Sequence, residues 1–227
     1  MYVKDHMTKN PYTIKKDTSV SKALDIMQQH RFHRLPVVDD EGKLIGLVTA
    51  GLISEGSGAN ITSLDIYELN YLLSKTKVDG LMIRDVKKIG PEELLEAAAQ
   101  SMLDNGVNVL PVVDDDNKVV GIITEKDIFQ TFVDLLGYKH QGTRFVLACK
   151  DRPGEFAHAS KLFADADANL ESLAVYHTAE RGTEVVVKAT GEISVEDMTK
   201  ILKDAGYEIH DIVQTTKIGT TVRYPVE

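Results

Sequence analysis

The sequence predicts an α+β protein made of two copies of a β-α-β-β-α unit and one β-α-β-β-α-β unit. Three observations carry this. Leu35-Pro36-Val37-Val38-Asp39-Asp40 returns as Leu110-Pro111-Val112-Val113-Asp114-Asp115, 75 residues later (110 − 35 = 75), and Gly46-Leu47-Val48-Thr49 returns as Gly121-Ile122-Ile123-Thr124 at the same distance. Apolar character is kept between these identities without a gap: Met7 matches Met82, Val20 matches Leu95, Ala23 matches Ala98 and Met27 matches Met102. From Arg144 the repeat ends and a different strand–helix alternation begins.

The elements follow in order. Residues 2–14 read as a lead-in and a short strand. Thr18 or Ser19 caps a helix whose Val20, Ala23, Leu24 and Met27 recur at helical spacing. Strands Leu35–Val38 and Leu44–Val48 flank an acidic turn, and Thr49 opens a short helix. Gly56-Ser57-Gly58 breaks the chain. Thr62 or Ser63 then caps an amphipathic helix carrying Leu64, Tyr67, Leu69, Tyr71 and Leu72, expected to pack on the repeat pair. Gly90-Pro91 starts the first helix of the second repeat, with Leu95, Ala98, Ala99 and Met102 inward.

Residues 137–142 form a joint. Beyond it, Phe145–Cys149 is a strand and Asp151-Arg152-Pro153-Gly154 turns into a helix with Phe156, Ala159, Leu162, Phe163 and Ala166 inward. Leu170–Tyr176 and Glu184–Ala189 are strands, a helix runs from Ser194 or Val195 to Ala205, and Tyr207–Val213 is the last strand. That order is ferredoxin-like. The predicted division is 1–60, a linking helix in 61–77, 78–136, 143–216 and a tail of 217–227.

Composition narrows the function. A formal charge of −9 argues against a nucleic-acid or anionic-membrane partner. No apolar run approaches a membrane span, and the N-terminus lacks a signal-peptide core. The single cysteine, Cys149, excludes an internal disulfide framework, fits a reducing cytoplasmic setting, and reads as a strand residue rather than a nucleophile. No His-Glu-x-x-His, Gly-x-Ser-x-Gly or phosphate loop is present, and His30 and His33 have no further ligands for a metal.

The chemistry concentrates at Thr124-Glu125-Lys126-Asp127, where a strand becomes a helix. A hydroxyl, a carboxylate and free helix N–H groups meet there, a combination that can hold a polar ligand. The same spacing is that of a capping box, in which both side chains only satisfy backbone donors. In the first repeat the corner is Thr49-Ala50-Gly51-Leu52, so a leucine replaces the acid.

The doubled half, with Leu-Pro-Val-Val-Asp, an acidic turn and Gly-Ile-Ile-Thr-Glu-Lys-Asp, resembles a tandem of CBS domains. The C-terminal unit resembles an ACT domain through Asp151-Arg152-Pro153-Gly154 and its strand–helix order. The combination, with Ser63-Leu64-Asp65-Ile66-Tyr67-Glu68 between the repeats, resembles the acetoin-utilisation AcuB-type regulatory proteins. The resemblance implies a non-catalytic sensor for an adenine nucleotide (AMP, ADP or ATP) or a related adenosyl compound. Thr124 and Asp127 match the family's ribose-holding corner, with Ile122 alongside, and Met7, Tyr12, Phe32 and His33 are implied as the adenine-side wall. Arg34, after His33, is implied as a phosphate contact, but in the other cleft from Asp127; with the acid in one cleft and the cation in the other, at most one typical site per chain is expected. For the ACT-like unit the resemblance implies a homodimer and an amino-acid effector at Asp151, Pro153, Gly154 and Asn169. An interaction scaffold with vestigial sites and an unrecognised enzyme are the alternatives.

Overall fold

The computed structural model describes residues 1–56, 66–150 and 152–226 and divides into two compact units, Met1–Phe129 and a second from Gln130. The predicted cap at Thr62 or Ser63, and Asp151, lie outside the described residues.

The first unit contains two three-stranded sheets. One repeat supplies β2 (Ile14–Lys15), α2 (Val20–His30), β3 (Arg34–Val38), β4 (Leu44–Thr49) and α3 (Ala50–Gly56). The other supplies α5 (Leu95–Asn105), β5 (Val109–Val113), β6 (Val119–Thr124) and α6 (Glu125–Leu135), the last crossing into the second unit. Ser19 caps α2 by accepting from Lys22 N, and Arg31 ends it in the left-handed conformation. Each helix buries the stripe the periodicity predicts: Val20, Ala23 and Met27 on α2; Leu95, Ala98 and Met102 on α5.

The lead-in segments are exchanged. α1 (Val3–His6) and β1 (Thr8–Lys9) belong in sequence to the first repeat, yet β1 pairs with β6 of the second, Thr8 opposite Ile122. Conversely, residues 76–83 bond to the first repeat, where Leu47 and Ile83 exchange two backbone hydrogen bonds of 2.9 Å. The bonds match under the 75-residue shift. Val20 N donates to Thr76 O as Leu95 N donates to Met1 O, and Val78 N donates to Thr18 O as Val3 N donates to Glu93 O. The two repeats also meet directly: Leu44 N donates to Asn117 O and Val119 N to Gly42 O. A side chain would crowd the methionines where the exchanged segments cross. A Cβ on Gly46 would stand 2.5 Å from Met82 Sδ, and one on Gly121 would stand 2.2 Å from Met7 Sδ.

This exchange corrects one expected boundary. α5 begins at Leu95, not at Pro91, because the carbonyls of Pro91 and Glu93 already accept from Lys4 and Val3 and cannot serve a first helical turn. A second correction concerns α4 (Ile66–Lys75). Leu73 packs against the first repeat's core, but Tyr67, Tyr71 and Leu72 are exposed rather than packed down.

The second unit is a five-stranded sheet in the order β11-β10-β7-β9-β8, antiparallel throughout. Its members are β7 (Gly142–Cys149), β8 (Asn169–Thr178), β9 (Gly182–Thr190), β10 (Glu208–Thr215) and β11 (Thr221–Tyr224). α7 (Glu155–Asp165) and α8 (Val195–Asp204), the latter capped by Ser194, cover one face. Phe145, Leu147, Val185, Val187, Phe163, Met198 and Leu202 form the core between them. The first four strands and both helices reproduce the ferredoxin-like order. The fifth strand, β11, lies within the expected tail and pairs along β10. Phe156, expected inward, is exposed, whereas Ala159, Leu162, Phe163 and Ala166 join the core.

The sheet's second face carries charge. Lys188, 2% exposed, donates to Gly137 O and His140 O at 2.5 Å, and Ser172 Oγ donates to Leu136 O. The segment after α6 is thereby laid on the face opposite α7 and α8. Burial lowers the Lys188 ammonium's proton affinity, with Arg144's charge adding to the effect.

Candidate functional site

Thr124 ends β6, and α6 follows at once with Glu125 and Asp127 in its first turn, where a helix favours negative charge. Asp127 Oδ2 accepts from Thr124 N at 2.8 Å and from Thr124 Oγ1 at 2.7 Å. This is the reach-back half of a capping box. In the first repeat the other half is present: Thr49 Oγ1 accepts from Leu52 N at 3.1 Å, and leucine offers nothing in return. The pseudo-symmetry therefore breaks at this pair, and only the second repeat places a carboxylate at its corner.

The predicted residues fall into two groups. Met7 lies against Gly121 and precedes the Thr8–Ile122 pair, so Met7, Ile122, Thr124 and Asp127 share β1, β6 and the start of α6. Tyr12 and Phe32 come together elsewhere, with ring centroids 5.6 Å apart, around His30, which lies 4.2 Å from Tyr12 and 5.5 Å from Phe32. The sequence singles out His30 only through its spacing from His33. The left-handed Arg31 turns the chain so that Phe32 stacks back on the preceding helix, a closure that the residue types alone do not announce.

Phe32 and His33 also line a cleft of about 620 Å³ with Leu24, Met27, Arg31 and Ala50 of the same repeat; Thr124 and Asp127 do not line it. Its counterpart under the 75-residue shift, about 430 Å³, is lined by Ala99, Met102, Gly106, Val107, Asn108 and Glu125. Arg34 pairs with Thr49 across β3 and β4 and is half-buried.

In the second unit, Arg152 Nε donates to Glu155 Oε2 at 2.6 Å, and this bond holds the Glu155 carboxyl below the usual range. Tyr207 Oη donates to Glu155 O and stands 2.9 Å from His158 Nδ1. Burial, with Glu155 adding, pushes the Tyr207 hydroxyl up to about 12 and the Cys149 thiol up to about 11. Both effects hold Cys149 toward its thiol form, the less nucleophilic one. Gly154 is left-handed at φ 88° and caps α7, with nothing within 4 Å of where a Cβ would stand. Its conformation, not close packing, requires glycine. Pro153 and Gly154 stand together at the Cys149 end of the sheet. Asn169 faces Thr190 at the opposite end and donates to Glu171, so one chain does not bring it to the turn.

A family model for the CBS domain matches residues 3–54 and 78–134, and one for the ACT domain matches residues 143–206. The chain carries a CBS domain pair followed by an ACT domain. The CBS pair is 30% identical, with a TM-score of 0.51 over 59% of this chain and 97% of the other, to the CBS domain pair of protein MJ0100 in complex with 5′-methylthioadenosine and S-adenosyl-L-methionine. It is likewise 30% identical to CBSX2 in complex with AMP, with a TM-score of 0.50 over 59% and 97% of the two chains. A third neighbour, described as an acetoin utilization protein (AcuB) from Vibrio cholerae, is 27% identical, with a TM-score of 0.51 over 60% and 93%. Among curated relatives, L-aspartate semialdehyde sulfurtransferase of Methanocaldococcus jannaschii is 32% identical over 57% of this chain, but the match spans only 23% of the relative's length. That match of 130 residues has the length of the CBS part alone. No helix among the described residues is long and apolar enough to cross a membrane.

Proposed function

We propose that the protein is a non-catalytic cytoplasmic sensor whose CBS pair binds AMP, ADP, ATP or a related adenosyl compound. The observation that carries this is the Thr124–Asp127 corner, in a domain pair 30% identical to two that hold adenosyl ligands. A carboxylate has two oxygens with about four lone-pair sites. Asp127 can thus keep its cap on Thr124 and still accept from the ribose hydroxyls. Met7 and Ile122 flank the corner. Tyr12, Phe32 and His33 group apart from this corner; by the family resemblance they are the aromatic surface for the base, and Arg34 the cation for the phosphates. Because Leu52 occupies the equivalent corner, one nucleotide binds per chain.

The ACT domain is the dimerisation element and offers an amino-acid effector site at Pro153, Gly154 and the neighbouring Asp151. The α7 N-terminus beside Gly154 has no side-chain cap, so its N–H groups suit a carboxylate. The second reading, an interaction scaffold, is favoured by one observation: the Asp127 carboxylate is already employed as a cap.

A thermal-shift panel of AMP, ADP, ATP and S-adenosyl-L-methionine separates the readings. A ligand of the native state raises Tm by mass action. A rise with one of them, lost in Asp127→Ala, supports the sensor. No rise with any supports the scaffold, and consumption of a nucleotide by the purified chain supports an enzyme.

A further inference from the structure

We propose that the ACT domain has a second small-molecule site, a cleft at the Gly142 end of its sheet, which takes a carboxylate with an apolar tail and no ammonium group. The cleft lies between the starts of β7 and α8 and the ends of β9 and β10, with a volume of about 280 Å³. That is room for roughly nine water volumes, and so for a small metabolite. Its floor is apolar: Phe145, Phe163, Met198 and Ile193. Its rim is polar, and among the described residues Lys217 is the one charged side chain that lines it.

The rim's hydrogen-bonding capacity is unevenly committed. Ser194 Oγ accepts from Asp197 N and donates to Asp197 Oδ2, and the Thr216 and Thr220 hydroxyls bond each other at 2.7 Å. Thr190 donates to Glu171. Among the described residues, neither Lys217 nor the Gln141 amide has a side-chain partner. What the cleft still offers a ligand is one cation and neutral polar groups, the Gln141 amide among them, above an apolar floor. Among the described residues, no carboxylate lines it to pair with an ammonium. A charge-assisted contact from Lys217 to a carboxylate and burial of an alkyl or aryl tail use the cation and the floor, whereas an added ammonium would meet only neutral acceptors beside the Lys217 charge. The site lies at the opposite end of β7 from the Arg152–Gly154 turn. Eight strand residues separate the two, or roughly 27 Å.

The test uses the full chain and two matched pairs of probes, isocaproate with leucine and hydrocinnamate with phenylalanine, titrated by calorimetry. The amine-free acids are expected to bind, and the amino acids to bind at least about tenfold more weakly here. Lys217→Glu, on an exposed turn, is expected to weaken the acids by roughly tenfold or more, and Ile193→Trp to block them while circular dichroism confirms the fold. Arg152→Ala, at the other end, should leave their affinity unchanged. Absence of binding by both acids, binding untouched by Lys217→Glu, or loss of binding in Arg152→Ala would each overturn the proposal. None of these outcomes depends on nucleotide binding by the CBS pair, and the last would place the acids at the effector turn.

Discussion

At the scale of single residues, Asp127 carries two roles that one substitution separates. Asp127→Ala removes a cap, which typically costs about 1 kcal/mol of stability. If it also holds ribose, nucleotide affinity falls by roughly ten- to a hundredfold, the loss of about 1.5–3 kcal/mol of charge-assisted bonding. Melting and calorimetry on the same variant read the two effects independently. The mirror experiment is Leu52→Asp, which restores the acid opposite Thr49. The expected result is a second, weaker nucleotide per chain, and two equivalent sites already present in the unaltered protein would refute the one-site reading.

The ACT sheet supplies a titration test. Glu184, 2% exposed, accepts from His210 Nδ1 at 2.5 Å, which holds its carboxyl below the ordinary range against the opposing effect of burial. A carboxyl depressed in the folded state binds more protons when unfolded. Its stabilisation is therefore present above its unfolded pKa and is lost as the pH falls through the lower folded value. Glu184→Gln should flatten the acid limb of a melting-temperature profile below about pH 4. An unchanged limb would remove Glu184 from the account.

Elements were largely legible from sequence, and the failures have physical causes. Strand pairs such as Leu35–Val38 with Leu44–Val48 announce themselves by composition and by an acidic turn between them. The start of α5 did not, because a partner 75 or more residues away in sequence occupies the carbonyls of Pro91 and Glu93. Likewise β11 lies in a polar stretch whose pairing depends on β10 being an open edge. At the site, Thr124 and Asp127 were readable because their contact is local. The grouping of Tyr12 with His30, and the placing of Asn169 at the far end from Gly154, depend on tertiary closure that spacing does not encode. The crossing glycines give the element-scale prediction. Gly121→Ala should cost about 1–2 kcal/mol by crowding Met7. In the double variant with Met7→Ala, the two losses should sum to less than their separate values. Strict additivity in chemical denaturation would show that the two residues do not meet.

Across the whole molecule, exposed apolar surface that a partner would cover lies on one of the two apolar ACT strands and not on the other. Val185, Val186 and Val187 are buried within the chain, so they need no second copy. The unsatisfied surface is edge strand β8, where Leu173, Val175 and Tyr176 are exposed, and the outer side of α6, where Phe129, Phe132 and Leu135 are exposed. An unpaired edge and an apolar helix row are surfaces a twofold assembly buries. Light scattering should find a dimer for the full chain, weakened by Val175→Lys or Phe132→Glu with helix content unchanged. A monomer at micromolar concentration, with and without adenine nucleotide, would remove the dimer. It would also remove any coupling of ligand binding to assembly, which requires the ligand to bind the two states unequally.

The exchanged lead-ins bear on ancestry. Met1–Lys9 complete the second repeat and residues 76–83 complete the first, so a repeat made alone would carry its start pointing into solvent and lack the one it needs. A one-repeat forebear could close only by trading these arms with a copy of itself, as a swapped twofold pair. Joining two such genes would turn a meeting between molecules into one between neighbours on a tether, at the raised effective concentration that a covalent connection provides. Once tethered, the halves would be free to diverge, because a change on one side would no longer be copied to the other. Aspartate at position 127, where the first repeat has leucine at the equivalent position 52, is the kind of difference that a true homodimer of single repeats could not hold.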